Sequence, residues 1–374
     1  MKSYRKTFFS GFALTGALFL AIPLMNMMEG RWEIPLKDTK KLFNLDFIEG
    51  RANYYLYQAG ITGNFDQVII GKKGWMFLGN QYSQVLNQTR GLKFPLTTNQ
   101  NIEKTIYALK QRQDWLTSKG IKTLFAIAPN KHSIYKEYLP DWLPTPDHNH
   151  TDDFVAKAKT AGIQILDLRV PLLRHKLKEP DLYYKSGTHW NLLGGLIGYQ
   201  EILIEMNRRF GMALKPARIE SIKPMSRSGR ELSWFLKINR AMTENNQREK
   251  DFNINFKGMN DIVCIQDIDR QTLSFKGECA RGRNPMLNNP DLPKLVSNDH
   301  ASNDLTLLWL RDSMGTNITR LFSVTFSRSL ELHHAFHSMD QLQDFIEKQK
   351  PDILLFLIVE RNILNPSLQT FFQE

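Results

Sequence analysis

The chain has 374 residues, 42% of them hydrophobic and 23% charged, enough apolar material for one large buried core or two small ones. Its formal charge of +11 and pI near 9.4 favour polyanions or an anionic surface. The Lys and Arg are scattered, and no finger, RNP or basic-zipper pattern accompanies them, so nucleic-acid binding is set aside.

The amino terminus places Lys2, Arg5 and Lys6 ahead of "FFSGFALTGALFLAIPLMNMM" (8–28), a stretch without charge. About 20 apolar residues suit a helix crossing a bilayer, and the basic flank would stay cytoplasmic. A cleaved signal peptide is the competitor, but no A-x-A-like site closes the stretch. Residues 1–30 are therefore expected to form a basic flank and an uncleaved single-pass signal anchor in the inner membrane. The remainder would then face the oxidising periplasm. Residues 31–100 read as a periplasmic neck followed by a hairpin, the latter in "VIIGKKGWMFLG" (68–79), two short apolar runs around a Gly-Lys-Lys-Gly turn.

From residue 101 to 365 the chain alternates. "NIEKTIYALKQRQDWLTSKG" has Ile102, Ile106, Leu109 and Leu116 near helical spacing and stops at Gly120. "IKTLFAIAPN" (121–130) is a strand, "DDFVAKAKTAG" a helix, "IQILDL" (163–168) a strand and "NLLGGLIGYQEILIEMNRRFG" (191–211) a helix. Residues 212–300 are polar and read as an irregular insertion with some short strands around Cys264 and Cys279. Those cysteines either pair, closing a loop worth about 3 kcal/mol, or stay free; they are too few for a zinc site. The alternation then resumes with strand "LTLLWL" (305–310), helix "TNITRLFSVTF", strand "SLELHHA", helix "MDQLQDFIEKQ" and strand "DILLFLIV" (352–359), before a tail at 366–374. Five apolar strands separated by helices predict an α/β fold, a mostly parallel sheet covered on both faces.

In such sheets ligands gather beyond the carboxyl ends of the strands. "LTLLWL" runs into "RDSMG", so Ser313 follows a buried strand directly, with Gly315 behind it and a helix beyond. It can expose its hydroxyl as a nucleophile, or simply cap the helix. His189 in "YYKSGTHWN" (183–191) is the candidate general base.

"VIIGKKGWMFLG", "IAPNKHSIYKEYLP", "YYKSGTHWNLLGG", "LLWLRDSMG" and "LLFLIVERNIL" together resemble the AlgX/AlgJ-like group. These are SGNH-hydrolase-like O-acetyltransferases of bacterial exopolysaccharide (alginate) export. The resemblance spans roughly residues 45–365 and includes the membrane anchor of AlgJ-type members. It implies an SGNH-hydrolase-like (flavodoxin-like) fold, a nucleophile at Ser313 beside Asp312, a base at His189, and acetyl transfer to sugar hydroxyls of an anionic or neutral polysaccharide. It also implies a membrane-embedded acyltransferase that supplies acetyl groups, since coenzyme A is not a direct donor in the periplasm. No cofactor or metal is expected, and the adjacent His333 and His334 point to opposite faces of a strand.

One position departs from the group's pattern, D-T-H-W, in which an aspartate stands two residues before the histidine: here it is Gly187. Three readings stay open. A carboxylate from elsewhere (Asp181, Asp167 or Glu360) substitutes, or a backbone carbonyl or water orients the ring, or the protein binds glycan without acetylating it. An acetyl esterase using the same Ser-His pair is a further alternative. Among supporting residues, Asn130 is a candidate oxyanion amide, Lys131 and Arg361 are candidates for acidic sugar carboxylates, and Trp190 is a candidate for stacking on a sugar ring, with Trp75 beside it.

Overall fold

The run "ILLFLIV" shows how the core is built. All seven residues are buried, and successive side chains alternate between two apolar clusters: Ile353, Leu355, Leu357 and Val359 join one, Leu354, Phe356 and Ile358 the other. A strand apolar on both faces needs cover on both, and helices supply it. Leu192–Phe210 and Thr319–Thr325 pack on the first face, and Asn99–Ser118, His150–Thr160 and Met339–Gln349 on the second. These helices start where the sequence provides acceptors for free N–H groups: Thr98, Asn149 and Asn191 each cap the helix that follows.

The computed structural model describes residues 20–26, 43–179, 181–337 and 339–364. In chain order its strands are β1 (Val68–Ile70), β2 (Met76–Leu78), β3 (Lys122–Ala128), β4 (Ile165–Asp167), β5 (Ile219–Arg227), β6 (Glu249–Phe256), β7 (Ile262–Ile268), β8 (Phe275–Arg283), β9 (Lys294–Ser297), β10 (Asn303–Arg311), β11 (Phe326–His333) and β12 (Ile353–Val359). The main sheet has the order β4-β3-β12-β10-β11-β9-β7-β8. Its first five strands run parallel, with Leu355 of β12 opposite Leu124 of β3 and Trp309 of β10. These are the five strands expected from the apolar runs. β1 and β2 form the expected antiparallel hairpin, with Ile69 opposite Phe77.

Two expectations need correction. The sheet is mixed, because β9 pairs antiparallel with β11 and is followed by antiparallel β7 and β8. These three strands come from the 212–300 segment, which is therefore ordered. The same segment also holds the antiparallel β5–β6 ladder and two short helices, Glu231–Phe235 and Asn239–Glu244. β5 and β8 escaped the pattern because they are largely solvent-facing and carry no apolar run. Cys264 and Cys279 are joined in a disulfide across β7 and β8, with Cα atoms 5.5 Å apart.

Most of the predicted signal anchor (8–28) and the start of the neck lie outside the described residues; the rest of the neck includes a helix, Asp46–Gln58. Among the described residues no helix is long and apolar enough to cross a membrane.

Candidate active site

β10 delivers Ser313. The strand ends at Arg311, and a short 3-10 segment, Ser313–Ile318, begins immediately. Asp312 fixes that turn: its carboxylate accepts the N–H of Met314 at 2.9 Å and that of Val359, the last residue of β12, at 2.8 Å. Burial alone would raise the Asp312 carboxyl, but His334 and these N–H groups outweigh it and hold it at about 2. Gly315 is required for close packing, since a Cβ there would lie 2.6 Å from the Trp309 ring and 2.8 Å from Arg311 Cδ. Beneath the turn Arg311 and Glu331 form a buried ion pair at 2.8 Å, and Arg311 also donates to the Leu287 carbonyl.

His189 sits on a tight loop closed by an antiparallel bridge between Tyr183 and Trp190. Lys131, 2% exposed, clasps this loop from below: its ammonium donates to the carbonyls of Tyr184, Lys185 and Gly187 at 3.0, 3.1 and 2.5 Å. Ser186 joins the loop to the 212–300 segment. Its N–H and hydroxyl donate to Glu249, its Oγ accepts the N–H of Arg230 at 2.7 Å, and its carbonyl accepts that of Leu232 at 3.0 Å.

These contacts bring Glu231 beneath the histidine. Glu231 Oε1 lies 2.8 Å from His189 Nδ1 and accepts both the N–H and the hydroxyl of Thr188 at 2.7 Å. On the other side of the ring, His189 Nε2 is 2.9 Å from Ser313 Oγ. Burial pushes the Glu231 carboxyl up, but the hydrogen bonds from His189 and Thr188 prevail and hold it well below the ordinary carboxylate range. The side chains of His189 and Glu231 are 26% and 23% exposed, so the line is shielded yet reachable. It opens into a cavity of about 570 Å³ whose walls include Tyr184, Arg227, Arg230, Trp234, Asn288 and Asn317. A hydroxyl, an imidazole and a carboxylate in line can move a proton from oxygen to Nε2 while the imidazolium stays balanced. Among the described residues no group of three metal-ligating side chains occurs.

The geometry thus brings Ser313 and His189 together and supplies an acid that none of the three candidate carboxylates provides. Asp181 pairs with Lys250, Asp167 with Arg169, and Glu360 accepts from Asn130, Ser133 and Thr151. Glu231 was missed because its helix spans only five residues; Leu232 and Leu236 at i, i+4 are the one periodic trace it leaves. Several supporting assignments are corrected as well. Lys131 is a clasp for the His189 loop rather than a sugar-binding cation. Trp190 is 0% exposed, and Trp75 is buried against Tyr135 and Tyr138, so both belong to the core. Arg361 donates to the Asn130 side-chain oxygen at 3.3 Å, and neither residue lines the Ser313 cavity.

Residues 68–250 match the family model of the SGNH hydrolase-like domain of acetyltransferase AlgX. The chain carries an AlgX/AlgJ-like domain. The match includes His189 and Glu231 and ends before Ser313. Two curated AlgX/AlgJ-like relatives are described as probable alginate O-acetylase AlgJ. The protein from Pseudomonas aeruginosa is 29% identical over 143 residues, 38% of this chain and 32% of the relative. That from Pseudomonas fluorescens is 26% identical over 151 residues, 40% and 35% of the two chains. The matches thus span about a third of the length of these relatives. Among solved structures, Bacillus cereus PatB1 superposes with a TM-score of 0.59 at 16% identity, covering 82% of this chain and 99% of its own. The O-acetyltransferase domain of Pseudomonas putida AlgJ gives 0.51 at 15% identity, covering 80% and 92%. At these identities the structural likeness is one of fold, and the AlgX/AlgJ-like domain shares it.

Proposed function

We propose that this protein is a serine-dependent O-acetyltransferase that modifies sugar hydroxyls of an exported polysaccharide. The observation that carries the reading is the hydrogen-bonded line Ser313–His189–Glu231, with its two contacts of 2.9 and 2.8 Å. Ser313 Oγ attacks the carbonyl carbon of an acyl donor as its proton passes to His189 Nε2. Glu231 holds the Nδ1–H and balances the imidazolium. The N–H groups of Met314 and Gly315 are engaged by Asp312, which leaves the N–H of Ser313 as the nearest backbone donor to the oxyanion. Collapse returns the proton to the leaving group and leaves acetyl-serine. A sugar hydroxyl then gives its proton to His189 and attacks the ester, forming the sugar acetate and restoring the Ser313 hydroxyl.

Alginate, named in the description of the curated relatives, is the first polysaccharide to test. The Cys264–Cys279 pair suits an oxidising compartment, and the basic-then-apolar residues 2–28 suit an inner-membrane anchor with the catalytic domain on the periplasmic side. Acetyl groups would then arrive through a membrane-embedded acyltransferase. A solved PatB1 structure carries a sulfonyl adduct, and an aryl sulfonyl fluoride is accordingly the probe of choice here. The full-length chain is treated with that probe, and separately with an aryl acetate in the presence of alginate oligosaccharides. The reading expects one adduct on Ser313 by peptide mass spectrometry, and acetylated sugar that Ser313→Ala does not form. Free acetate alone would make the protein an esterase, and equal activity of Ser313→Ala would remove Ser313 from the chemistry.

A further inference from the structure

Among the described residues, Trp234 is the one side chain that lines both the Ser313 cavity and a second, neighbouring cavity of about 230 Å³. It is 54% exposed, unusual for a tryptophan placed between two concave surfaces. It also stands three residues after Glu231 in the same short helix, which puts the two side chains on neighbouring positions of one face. The position of the ring is therefore tied to that of the acid beneath His189.

The second cavity has mixed walls, with Phe47 and Ala241 beside its charged side chains. Most of its walls come from the helices Asp46–Gln58 and Asn239–Glu244, and its charges are paired: Arg51 with Glu244 at 2.6 Å, Arg240 with the same carboxylate at 2.8 Å, and Lys237 with Asp46 at 2.7 Å. The Ser313 cavity likewise carries cations, with Arg227 and Arg230 on its wall. Arg227 is tied to Asp251, while the Arg230 guanidinium lies 4.1 Å from the Tyr184 ring centre. An aromatic plate between two cavities of hydrogen-bonding walls suits a ligand that is flat and apolar on one side and hydroxylated at its edges. A chain of linked sugars has that form, and its length would let it occupy both cavities.

We infer that Trp234 is a sugar-binding platform that makes the site selective for an oligosaccharide acceptor long enough to lie across both cavities, one residue at Ser313 and the next units beyond the indole. The inference rests on the acyl-serine reading only for what happens to the bound sugar; the binding itself is testable without chemistry. Full-length Ser313→Ala protein is titrated calorimetrically with a disaccharide and an octasaccharide, in an unacetylated alginate series and in a neutral β-glucan series. The octasaccharide of at least one series is expected to bind about tenfold more tightly than its disaccharide, a ratio that falls to about one in Ser313→Ala/Trp234→Ala and is largely kept in Ser313→Ala/Trp234→Phe. Melting temperatures confirm that all three variants are folded. Equal affinity for short and long sugars in both series, or a length preference that survives Trp234→Ala, overturns the proposal. If the length preference depends on Trp234 while wild-type Ser313 takes no acyl or sulfonyl group, the platform stands and the acyl-serine reading falls.

Discussion

Gly187 and Glu231 occupy one space: a Cβ built on Gly187 would lie 3.0 Å from Glu231 Oε2. The same Cβ would be 3.0 Å from both Arg230 Cβ and Tyr184 Cβ. In place of an aspartate two residues before the histidine, the acid reaches His189 from another part of the chain. The glycine leaves the room that the glutamate fills.

The first prediction concerns that acid. Glu231→Gln keeps the shape but removes the charge opposite Nδ1, and should lower kcat by about 10³–10⁴, in the range found when a serine protease loses its triad carboxylate charge. Glu231→Ala should do the same, and Gly187→Asp placed in the Glu231→Ala background should recover at least about tenfold, because the two mutations act on one contact and are not additive. Steady-state acyl transfer by the four proteins measures this directly.

Gly187→Asp alone should be harmful. Its Cβ presses on stiff atoms near the backbone, and its carboxylate would sit beside Glu231. Overpacking of this kind costs about 1–3 kcal/mol, visible as a lower denaturation midpoint, and activity should fall with it. A Gly187→Asp protein as stable and active as the wild type would show that the loop yields freely.

Lys131 carries a pH-dependent prediction. Burial pushes its ammonium down to about 7, with Glu249 and Glu231 pulling the other way. A lysine whose folded value lies below its unfolded value of about 10.4 costs stability while it is charged, and that cost is relieved as pH rises from about 7 towards 10. Lys131→Met lacks this dependence. The wild type should therefore gain stability relative to Lys131→Met between pH 7 and 9, by up to about 1.4 kcal/mol per pH unit. Denaturant titrations across that range provide the check. Loss of the clasp on three carbonyls should also lower kcat of the variant at every pH.

Beneath Ser313, the buried Arg311–Glu331 pair should behave as a unit. Arg311→Met leaves Glu331 buried and unpaired, at a cost of about 3–5 kcal/mol, whereas Arg311→Met/Glu331→Leu should recover much of it. Urea denaturation distinguishes the two.

The disulfide lies in the edge hairpin, and neither cysteine lines the Ser313 cavity. Cys264→Ser/Cys279→Ser should lose up to about 3 kcal/mol of stability, as a loop of this length predicts, with kcat unchanged. Thermal melts and acyl transfer of the same preparation test both halves.

The parallel half of the sheet was readable because strands such as Ile353–Val359 and Lys122–Ala128 are buried on both faces and leave unbroken apolar runs. The antiparallel half was not, because strands such as Phe275–Arg283 are mostly wet and depend on pairing with neighbours distant in sequence. The same division runs through the site. Ser313 and His189 stand at element boundaries with recognisable neighbours. Glu231 lies in a five-residue helix whose place is set by hydrogen bonds to Ser186, a tertiary contact that no local pattern encodes. Lys131 was misread because a charged residue after a strand looks like a surface group, and only its three carbonyl partners reveal why it is buried.

The attachment of Ser186 to Arg230 and Leu232 also orders events in time. Ribosomes deliver His189 first, then its acid, and the nucleophilic alcohol only after the whole intervening segment has emerged. Closing contacts between such distant stretches carries an entropy cost that only the folded state repays. Until His189 stands beside it, Ser313 is an ordinary, unreactive alcohol.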